Sequence, residues 1–376
     1  MFFKKLLSYL KKFDWITLII VIFFIALGLM SIYGISLGSG EKNLLSFKKQ
    51  IIFAIIGVIL IFAISVIDYK TLKTYAIWIY AMSVALLVVV LSLGRIVRGT
   101  KGWFDFYGLR FQPVELAKIA LVIILAKYFS SKIYEIKKFS QIIASAAITS
   151  LCIIPTLFQP DLGSAAILFF IWLGMLLLFG IKKKYFILLI IIMALFVAAS
   201  FIFLKDYQKA RIYTFLDPSR DPLGKGYNIT QSLIAIGSGQ LKGKGLGSGT
   251  QTQLKFLPET KTDFIFSVIA EEMGFGIIIL IFIGWIAILY RFLRLAKIAN
   301  NPFASFLSLG ISILLFVHFF INVAVSIGIL PVTGIPLPFM SYGGSFLIIC
   351  FISIGIIESI YARTKISTLN IKTSDI

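Results

Sequence analysis

The sequence contains few charged residues, and acidic residues are the scarcest of them. Only 14% of its 376 residues are charged, whereas an ordinary soluble protein has about 25%, and 59% are hydrophobic. This balance excludes a soluble globular enzyme. Lys and Arg number 36 against 16 Asp and Glu, which gives a net charge of +20, but the basic residues lie in many short segments instead of one patch. We therefore predict a basic integral membrane protein with no nucleic-acid partner.

Cysteine and histidine are also nearly absent. The two cysteines, Cys152 and Cys350, both fall inside apolar runs, so neither a disulfide framework nor a thiol metal site is expected. The single histidine, His318, shares a helix face with Asn322 because the two are four positions apart. Without Cys or acidic neighbours, His318 favours a hydrogen bond in the protein core over metal binding.

Long apolar runs recur along the whole sequence. A membrane helix needs roughly 20 such residues, and hydropathy predicts about ten spans. These are 15–35, 51–67, 75–93, 115–129, 139–157, 164–181, 185–204, 264–290, 304–330 and 345–361. The predicted fold class is an all-α integral membrane protein. It forms a single polytopic domain over 1–376, with a large extracytoplasmic loop at 205–263 between helices 7 and 8.

The basic residues predict the orientation of these spans. An even number of spans places both termini on one side, and the short connections on that side carry more Lys and Arg than the others. The loop 205–263 is too long to count in this rule. Both termini are therefore expected in the cytoplasm. The first span is longer than the 7 to 15 residues of a signal-peptide core, so we expect it to be retained.

Polar sequence rich in Gly and Pro gathers on the predicted outer side. Four external stretches stand out, 94–118, 159–163, 205–263 and 331–345. The third is long enough to be functional or disordered, and its many apolar residues argue against disorder. Its glycines lack the Gly-Lys-Ser/Thr ending of a phosphate-binding P-loop. We expect the four stretches to converge over the outer face of the helix bundle.

The first stretch contains a helix start at Gln112-Pro113, where Glu115 is favoured by the helix dipole. Glu115 and Lys118 are i,i+3 neighbours and can form a local ion pair at the membrane edge. Alternatively, Lys118 lines an anion-binding cavity, and Arg110 just upstream supports that interpretation. The spacing leaves both interpretations open.

Two aspartates stand at helix starts on the outer side. Asp161, in the turn 159–163, is an ordinary turn residue and gains interest only from its polar neighbours. Asp263 is a natural N-cap for the span that begins at Phe264. The alternative is that Asp263 acts as a general base at the rim of a lipid-facing cavity, with Lys261 nearby.

Two acidic residues lie deeper in the same span. Glu271 and Glu272 are about two turns from its start. Acids at that depth should face protein or water, and a pairing with Lys118 is one option.

The fourth stretch, 331–345, contains too much Pro and Gly for a regular helix. We expect re-entrant backbone, or backbone that forms the rim of the outer face. Its peptide groups either contact a substrate or pack against neighbouring helices, and the sequence does not decide between the two.

The motifs in these stretches, taken in order, closely resemble those of the SEDS family (shape, elongation, division and sporulation proteins). The resemblance extends from the first span to Tyr361. Its motifs are Gln112-Pro113-x-Glu115-x-x-Lys118, Gln159-Pro160-Asp161-Leu162-Gly163, Phe215-Leu216-Asp217-Pro218, Leu257-Pro258-Glu259, Thr262-Asp263-Phe264-Ile265-Phe266 with Glu271-Glu272, and Pro338 followed by Ser341-Tyr342-Gly343-Gly344-Ser345.

Further motifs resemble the rod-shape (RodA-like) branch of the family rather than its division (FtsW-like) branch. They lie at 234–239, 249–254 and 334–338. The sequence departs from the family pattern at Val114, where Ser is usual, and at Gly102, where Arg is usual. The second departure removes one external cation.

The resemblance implies a peptidoglycan glycosyltransferase. Such an inverting enzyme polymerises lipid II on the outer face of the bacterial cytoplasmic membrane, during cell elongation and rod-shape maintenance. The implied partners are a class B penicillin-binding protein and other membrane proteins of the elongation complex. A divalent cation, Mg²⁺ or Mn²⁺, is the expected cofactor, at an unknown site, and no organic cofactor is expected.

The resemblance also implies roles for individual residues. Asp263 is the expected catalytic base, which takes the proton from the acceptor 4-hydroxyl as it attacks the donor anomeric carbon. Lys118, Arg110 and Arg211 are expected to stabilise charge on the departing polyprenyl pyrophosphate. The complete set of expected substrate-binding residues is Arg110, Gln112, Glu115, Lys118, Asp161, Arg211, Gln251, Gln253, Lys261, Ser341, Tyr342 and Gly343.

Two other functions stay open at this point, a lipid II flippase and a scaffold of the elongation complex without activity. A bundle with intramembrane charges suits a translocation path, but transporters often have repeated halves and polar sites at the midplane. The sequence has no such repeat, and its polar residues gather on one face. A scaffold would leave the external polar stretches unexplained.

Overall fold

The structure is a computed structural model that describes residues 13–38, 44–97, 99–106, 109–133, 139–182, 184–188, 191 and 225–374. Several predictions lie outside these residues. They are the site residue Arg211, most of the seventh predicted span, and the first part of the loop 205–263.

Helices account for most of the described chain. Their bounds are α1 Trp15–Gly38, α2 Leu45–Val66, α3 Tyr69–Leu93, α4 Pro113–Lys132, α5 Phe139–Phe158, α6 Leu162–Phe179, α7 Lys225–Ser238, α8 Thr250–Gln253, α9 Ile265–Ile298, α10 Pro302–Ser326 and α11 Gly344–Ser374. Eight of them are long and apolar enough to cross a membrane: α1, α2, α3, α5, α6, α9, α10 and α11. The chain is a multi-pass membrane protein, as predicted.

The prediction of about ten spans agrees with these helices as far as the described residues reach. Every predicted span except the seventh overlaps one of them. The fourth, 115–129, corresponds to α4, which carries Glu115, Lys118 and Lys127 and is therefore less apolar than the others. The exact number of spans stays a prediction.

Helix α4 is the centre of the bundle. It contacts α3, α5, α6, α10 and α11, and its side chains are buried almost all round. Apart from its few charged residues, α4 is apolar on nearly every side, as expected of a helix in such a buried position. By contrast, α2 and α3 expose large apolar side chains, among them Ile59 and Trp78. Such surfaces suit contact with lipid.

A small antiparallel sheet interrupts the helical architecture. The sequence analysis did not predict this sheet. Its strands are β1 Arg95–Val97, β2 Thr100–Phe106 and β3 Leu109–Phe111, in the order β1-β2-β3. Asp105 pairs with Arg110 in the register of β2 and β3. Because β3 ends directly before α4, the sheet lies over the start of that helix.

The described part of the predicted loop, 225–263, is folded against the bundle. Helix α7 contacts α9 and α10. At this contact Ser232 Oγ donates to the carbonyl of Ser326 at 2.6 Å and lies 2.6 Å from Ser267 Oγ. The turns after α7 then dock where α9 kinks at Gly274, whose φ is +78°. Residues 225–263 are therefore packed on the helix bundle.

Charged side chains join three helices at the opposite end of the bundle. Arg291 on α9 forms two hydrogen bonds to the carboxylate of Asp14, one of them at 2.7 Å. The amide of Asp14 donates to Glu358 Oε2 on α11 at 2.9 Å. Both acids are buried. These contacts tie the start of α1 to α9 and α11.

Candidate active site

A cavity of about 630 Å³ lies at the end of the bundle that is covered by the sheet. It brings together residues from each of the four polar stretches, and Thr262 and Asp263 are the lining residues from the described part of the third. The predicted site residues that line it are Arg110, Gln112, Glu115, Lys118, Asp161, Asp263, Tyr342 and Gly343. The predicted convergence of the polar stretches is thus found in the fold.

Several helices begin at this cavity. The first turns of α4, α6 and α11 contribute Glu115, Ser164 and Ser345 to its walls, and Asp263 lies just before α9. The start of a helix carries free N–H groups and a partial positive charge, which favours anions. The backbone arrangement therefore suits a negatively charged ligand.

A buried ion pair forms one wall. Lys118 Nζ donates to Glu115 Oε1 at 2.8 Å, and both residues are less than 5% exposed. Lys118 Nζ also lies 3.3 Å from His318 Nε2. The predicted ion pair between Glu115 and Lys118 is therefore present, and both residues line the cavity. Anion binding by Lys118 stays a prediction.

Asp161 holds two helix starts in place. Its Oδ1 accepts from the amide of Ser164 at 2.9 Å, which caps α6. Its Oδ2 accepts from Gln112 Nε2, the residue before α4, at 3.3 Å. Asp161 therefore has the local role expected of a turn residue before a helix, and it also lines the cavity.

Asp263 does not occupy the N-cap position predicted for it. Helix α9 begins at Ile265, and its N-cap is Phe264, which makes no side-chain capping bond. Asp263 therefore lies one residue outside the cap. Its carboxylate faces the cavity across from Gly334, where an added Cβ would come within 3.6 Å of Oδ2.

The charges around the cavity leave basic groups available for a ligand. The lining acids are Asp105, Glu115, Asp161 and Asp263, and the lining bases are Lys49, Arg110 and Lys118. Glu115 balances Lys118, and Arg95 pairs with Asp105 at 3.2 Å. Sequence reasoning missed Lys49. The signal for it was the Lys48-Lys49-Gln50 run at the start of the second span.

Lys261 and Ser341 were expected to bind substrate, but neither lines the cavity. Lys261 Nζ donates instead to Ser46 Oγ at 3.1 Å. Ser341 is buried, and its hydroxyl donates to the carbonyl of Thr262 at 2.6 Å while it accepts from the amide of Leu337 at 2.8 Å. Both side chains hold the walls of the cavity together rather than face its interior.

Gln251 and Gln253 also lie outside the cavity. Gln253 Nε2 donates to the carbonyl of Gly34 on α1 at 3.1 Å. The amide of Gln251 donates to Glu271 Oε1 at 2.9 Å. The glycine-rich turns before α8 carry these residues towards α1 and α9, a path that the sequence did not reveal.

Glu271 does not pair with Lys118. Its carboxylate accepts from Lys244 Nζ at 3.2 Å and from Thr252 Oγ1 at 2.9 Å. Glu272 Oε1 accepts from the amide of Gly247 at 3.1 Å. The two acids therefore anchor the turns between α7 and α8, whose main chain would otherwise lack partners in the protein interior.

Among the described residues, no group of three or more His, Cys, Asp or Glu side chains is placed to hold a metal ion. Mg²⁺ usually binds one or two carboxylates together with substrate phosphates rather than an all-protein cage. Of the lining carboxylates, Glu115 pairs with Lys118 and Asp105 pairs with Arg95. Asp161 and Asp263 are the other two carboxylates that line the cavity.

Comparison with known proteins agrees with these features. A family model described as "Cell cycle protein", for FtsW, RodA and SpoVE, matches residues 14–366. Peptidoglycan glycosyltransferase MrdB of Escherichia coli K12 is 39% identical over 313 residues, which are 82% of this chain and 84% of MrdB. Probable peptidoglycan glycosyltransferase FtsW of Geobacter metallireducens is 34% identical over 96% of this chain and 98% of its own length.

Solved structures share the fold. A chain of a peptidoglycan synthase complex that coordinates polymerization and crosslinking has a TM-score of 0.80 and 29% identity, over 94% of this chain and 98% of that one. The rod shape determining protein RodA of Thermus thermophilus has a TM-score of 0.70 and 26% identity, over 93% and 96%. The chain belongs to the FtsW, RodA and SpoVE family of cell cycle proteins.

Proposed function

We propose that this protein is a peptidoglycan glycosyltransferase that polymerises lipid II into glycan strands during cell elongation and rod-shape maintenance. The observation that carries the proposal is the cavity, in which the carboxylate of Asp263 shares one space with Arg110, Lys49 and several helix starts. A polyprenyl-pyrophosphate sugar needs a base, an anion-binding surface and a position at the membrane. The names of MrdB and of the FtsW relatives support the same reaction.

In the proposed reaction, Asp263 takes the proton from the 4-hydroxyl of the acceptor sugar. The hydroxyl oxygen attacks the anomeric carbon of the donor and inverts it, while the bond from that carbon to the pyrophosphate oxygen breaks. Polyprenyl pyrophosphate leaves with the bonding electrons. Arg110 and Lys49 stabilise its negative charge, and the N-termini of α4, α6 and α11 add their partial positive charges.

Lys118 contributes less to this anion-binding surface than its position suggests. Its charge is offset by Glu115, with which it forms a buried ion pair. Its role is to keep that wall of the cavity rigid and close to neutral. A divalent cation, Mg²⁺ or Mn²⁺, would be held by the pyrophosphate and by Asp161, and would neutralise charge on the leaving group.

We further propose that both termini are cytoplasmic and that the cavity faces the outer side of the bacterial cytoplasmic membrane. The basic short connections support this orientation. A class B penicillin-binding protein is the proposed partner. Support comes from the fold shared with a chain of a complex that couples polymerization to crosslinking.

The test is lipid II polymerisation by the purified protein with a partner whose transpeptidase is inactivated. Glycan strands are the expected product. The same preparation in vesicles is assayed for transport of lipid II between leaflets, which distinguishes a flippase from a polymerase. Transport without strands would replace the polymerase with a flippase, and neither activity from a folded complex would favour a scaffold.

A further inference from the structure

Asp263 lies outside regular secondary structure, so its position depends on contacts made by its main chain. Helix α9 begins only at Ile265. A carboxylate that has to meet a sugar hydroxyl must be held within a fraction of an ångström. The groups that hold residues 261–263 are therefore as important to the geometry of the site as the carboxylate itself.

Three consecutive carbonyl groups in this segment each accept one hydrogen bond from a different donor. The carbonyl of Lys261 accepts from the amide of Tyr342 at 2.8 Å. The carbonyl of Thr262 accepts from Ser341 Oγ at 2.6 Å. The carbonyl of Asp263 accepts from Asn322 Nδ2 at 2.9 Å. The segment is thus fixed at each residue, by residues 341 and 342 and by Asn322 of α10.

Asn322 differs from the other two donors because it joins two walls. Its Nδ2 carries two protons, one for the carbonyl of Asp263 and one for the carbonyl of Ile335 at 2.7 Å. Ile335 lines the cavity next to Gly334, the residue that faces the Asp263 carboxylate. One side chain on α10 therefore sets the distance between the two segments that flank that carboxylate.

The burial of Asn322 supports a role for its donor group. The residue is 1% exposed, and its Oδ1 has no hydrogen-bond partner among the described residues. Burying an unsatisfied amide oxygen is unfavourable. An apolar side chain would avoid that cost, so the amide is explained by the two bonds that its nitrogen donates.

We propose that Asn322 is the positioning residue for Asp263. It holds the Asp263 and Ile335 carbonyl groups at a fixed separation, so that the Asp263 carboxylate meets the acceptor hydroxyl. The proposal rests on the function proposed above. It assigns no contact with substrate to Asn322, whose action is through the main chain of Asp263.

Two substitutions of Asn322 test whether its donated hydrogen bonds position Asp263. Asn322→Ala removes both donors, and misplacement of a catalytic group by about 1 Å can reduce the rate by roughly 100-fold. We expect kcat to fall by about 10- to 100-fold, with KM changed less than about 2-fold, since no substrate contact is lost. Asn322→Asp keeps the shape but turns carboxylate oxygens towards two carbonyl oxygens, so its kcat should be no higher than that of Asn322→Ala.

The matched control is Asn301→Ala, at the other end of the same helix. Asn301 Oδ1 caps α10 by accepting from the amide of Phe303 at 2.9 Å, far in sequence from the cavity residues. This variant should lose some thermal stability and keep its kcat. Ser341→Ala, which removes the bond to Thr262 and little volume, should lower kcat as well and guards against misfolding of the Asn322 variants.

The experiment measures kcat and KM for lipid II polymerisation by the complex, with Asp263→Asn included. Normal kcat in folded Asn322→Ala or in Ser341→Ala, while Asp263→Asn is inactive, would overturn the positioning role. A higher kcat in Asn322→Asp than in Asn322→Ala would also overturn the positioning role. It would indicate that the volume of the side chain matters and its donated hydrogen bonds do not. Activity retained by Asp263→Asn would instead refute the proposed catalytic base.

Discussion

Replacing Gly239 with alanine should destabilise the protein, whereas the same change at Gly237 should not. Gly239 follows α7 and lies directly against α9, where an added Cβ would come within 1.9 Å of the carbonyl oxygen of Ala270. Gly237 lies in the last turn of α7, and an added Cβ there meets no atom within 4 Å. The two substitutions are chemically identical and two residues apart.

The geometry sets the size of the effect. Ordinary contact distances are about 3.5 Å or more, so the turn or α9 must move by roughly 1.5 Å to accept the methyl group at Gly239. The obstacle is main chain, which cannot rotate away, so the cost should be near the upper end of the usual overpacking range, about 3 kcal/mol. At Gly237 alanine should stabilise the helix by about 0.5–1 kcal/mol.

Heating in detergent with a thiol-reactive fluorogenic dye measures this difference. Cys152 and Cys350 are both buried, so the dye reacts only as the bundle opens. We expect Gly239→Ala to unfold at a lower temperature than wild type and Gly237→Ala at an equal or higher one. Equal unfolding temperatures for the two variants would refute the docking of this turn on α9.

The remaining predictions concern charged side chains. Lys118→Ala should cost about 3–5 kcal/mol, because Glu115 would stay buried without its partner, and the same dye assay measures the loss. Arg291→Ala should cost about 1–3 kcal/mol, because it leaves the buried carboxylate of Asp14 without its partner. The cost is smaller than for Lys118→Ala because Arg291 is partly exposed to solvent. Glu271→Ala should increase protease cleavage within 244–252, because it removes the acceptor that holds these turns, and mass spectrometry of the fragments measures it.

Lys127→Ala is the control for Lys118→Ala, since both residues are on α4. Lys127 is partly exposed and has no described ion pair, so its loss should change stability by less than about 0.5 kcal/mol. Equal losses from the two lysines would contradict a special role for the buried pair. Unchanged cleavage in Glu271→Ala would show that the turns are held by other contacts.

The helices could be predicted largely from hydropathy, because membrane spans are long and uniform. Their ends could not. Helix α2 begins at Leu45, six residues before the predicted start at residue 51. The prediction was late because Lys48 and Lys49 lower the local hydropathy. A lysine can nevertheless lie within such a helix, because its long side chain reaches the membrane surface. Helix α9 continues to Ile298, eight residues beyond the predicted end at 290.

Two elements escaped prediction for a physical reason. Helix α7 packs through Ile229, Ser232 and Ala235, a face too small and polar to stand out in a hydropathy profile. The strands β1 to β3 are short, and β2 includes Gly102, a residue that weakens strand propensity. Both elements pack against the bundle, and a hydropathy profile for membrane spans does not detect them.

The site was predicted where short motifs sit directly at helix starts. Arg110, Gln112, Asp161 and Asp263 all line the cavity, because each lies just before or at the first turn of a helix. Residues 251 and 253 follow glycine-rich turns, whose path depends on Glu271 and other distant partners. Local sequence does not encode such a path.

The most direct test of the account compares Asp263→Asn with Asp68→Asn in the lipid II polymerisation assay, with the transpeptidase of the partner inactivated. Asp68 caps α3 by accepting from the amide of Lys70 at 2.9 Å, and asparagine caps a helix equally well. If Asp263 is the catalytic base, wild type and Asp68→Asn should produce glycan strands and Asp263→Asn should produce none. Strands from Asp263→Asn at the wild-type rate would contradict the catalytic role of the Asp263 carboxylate.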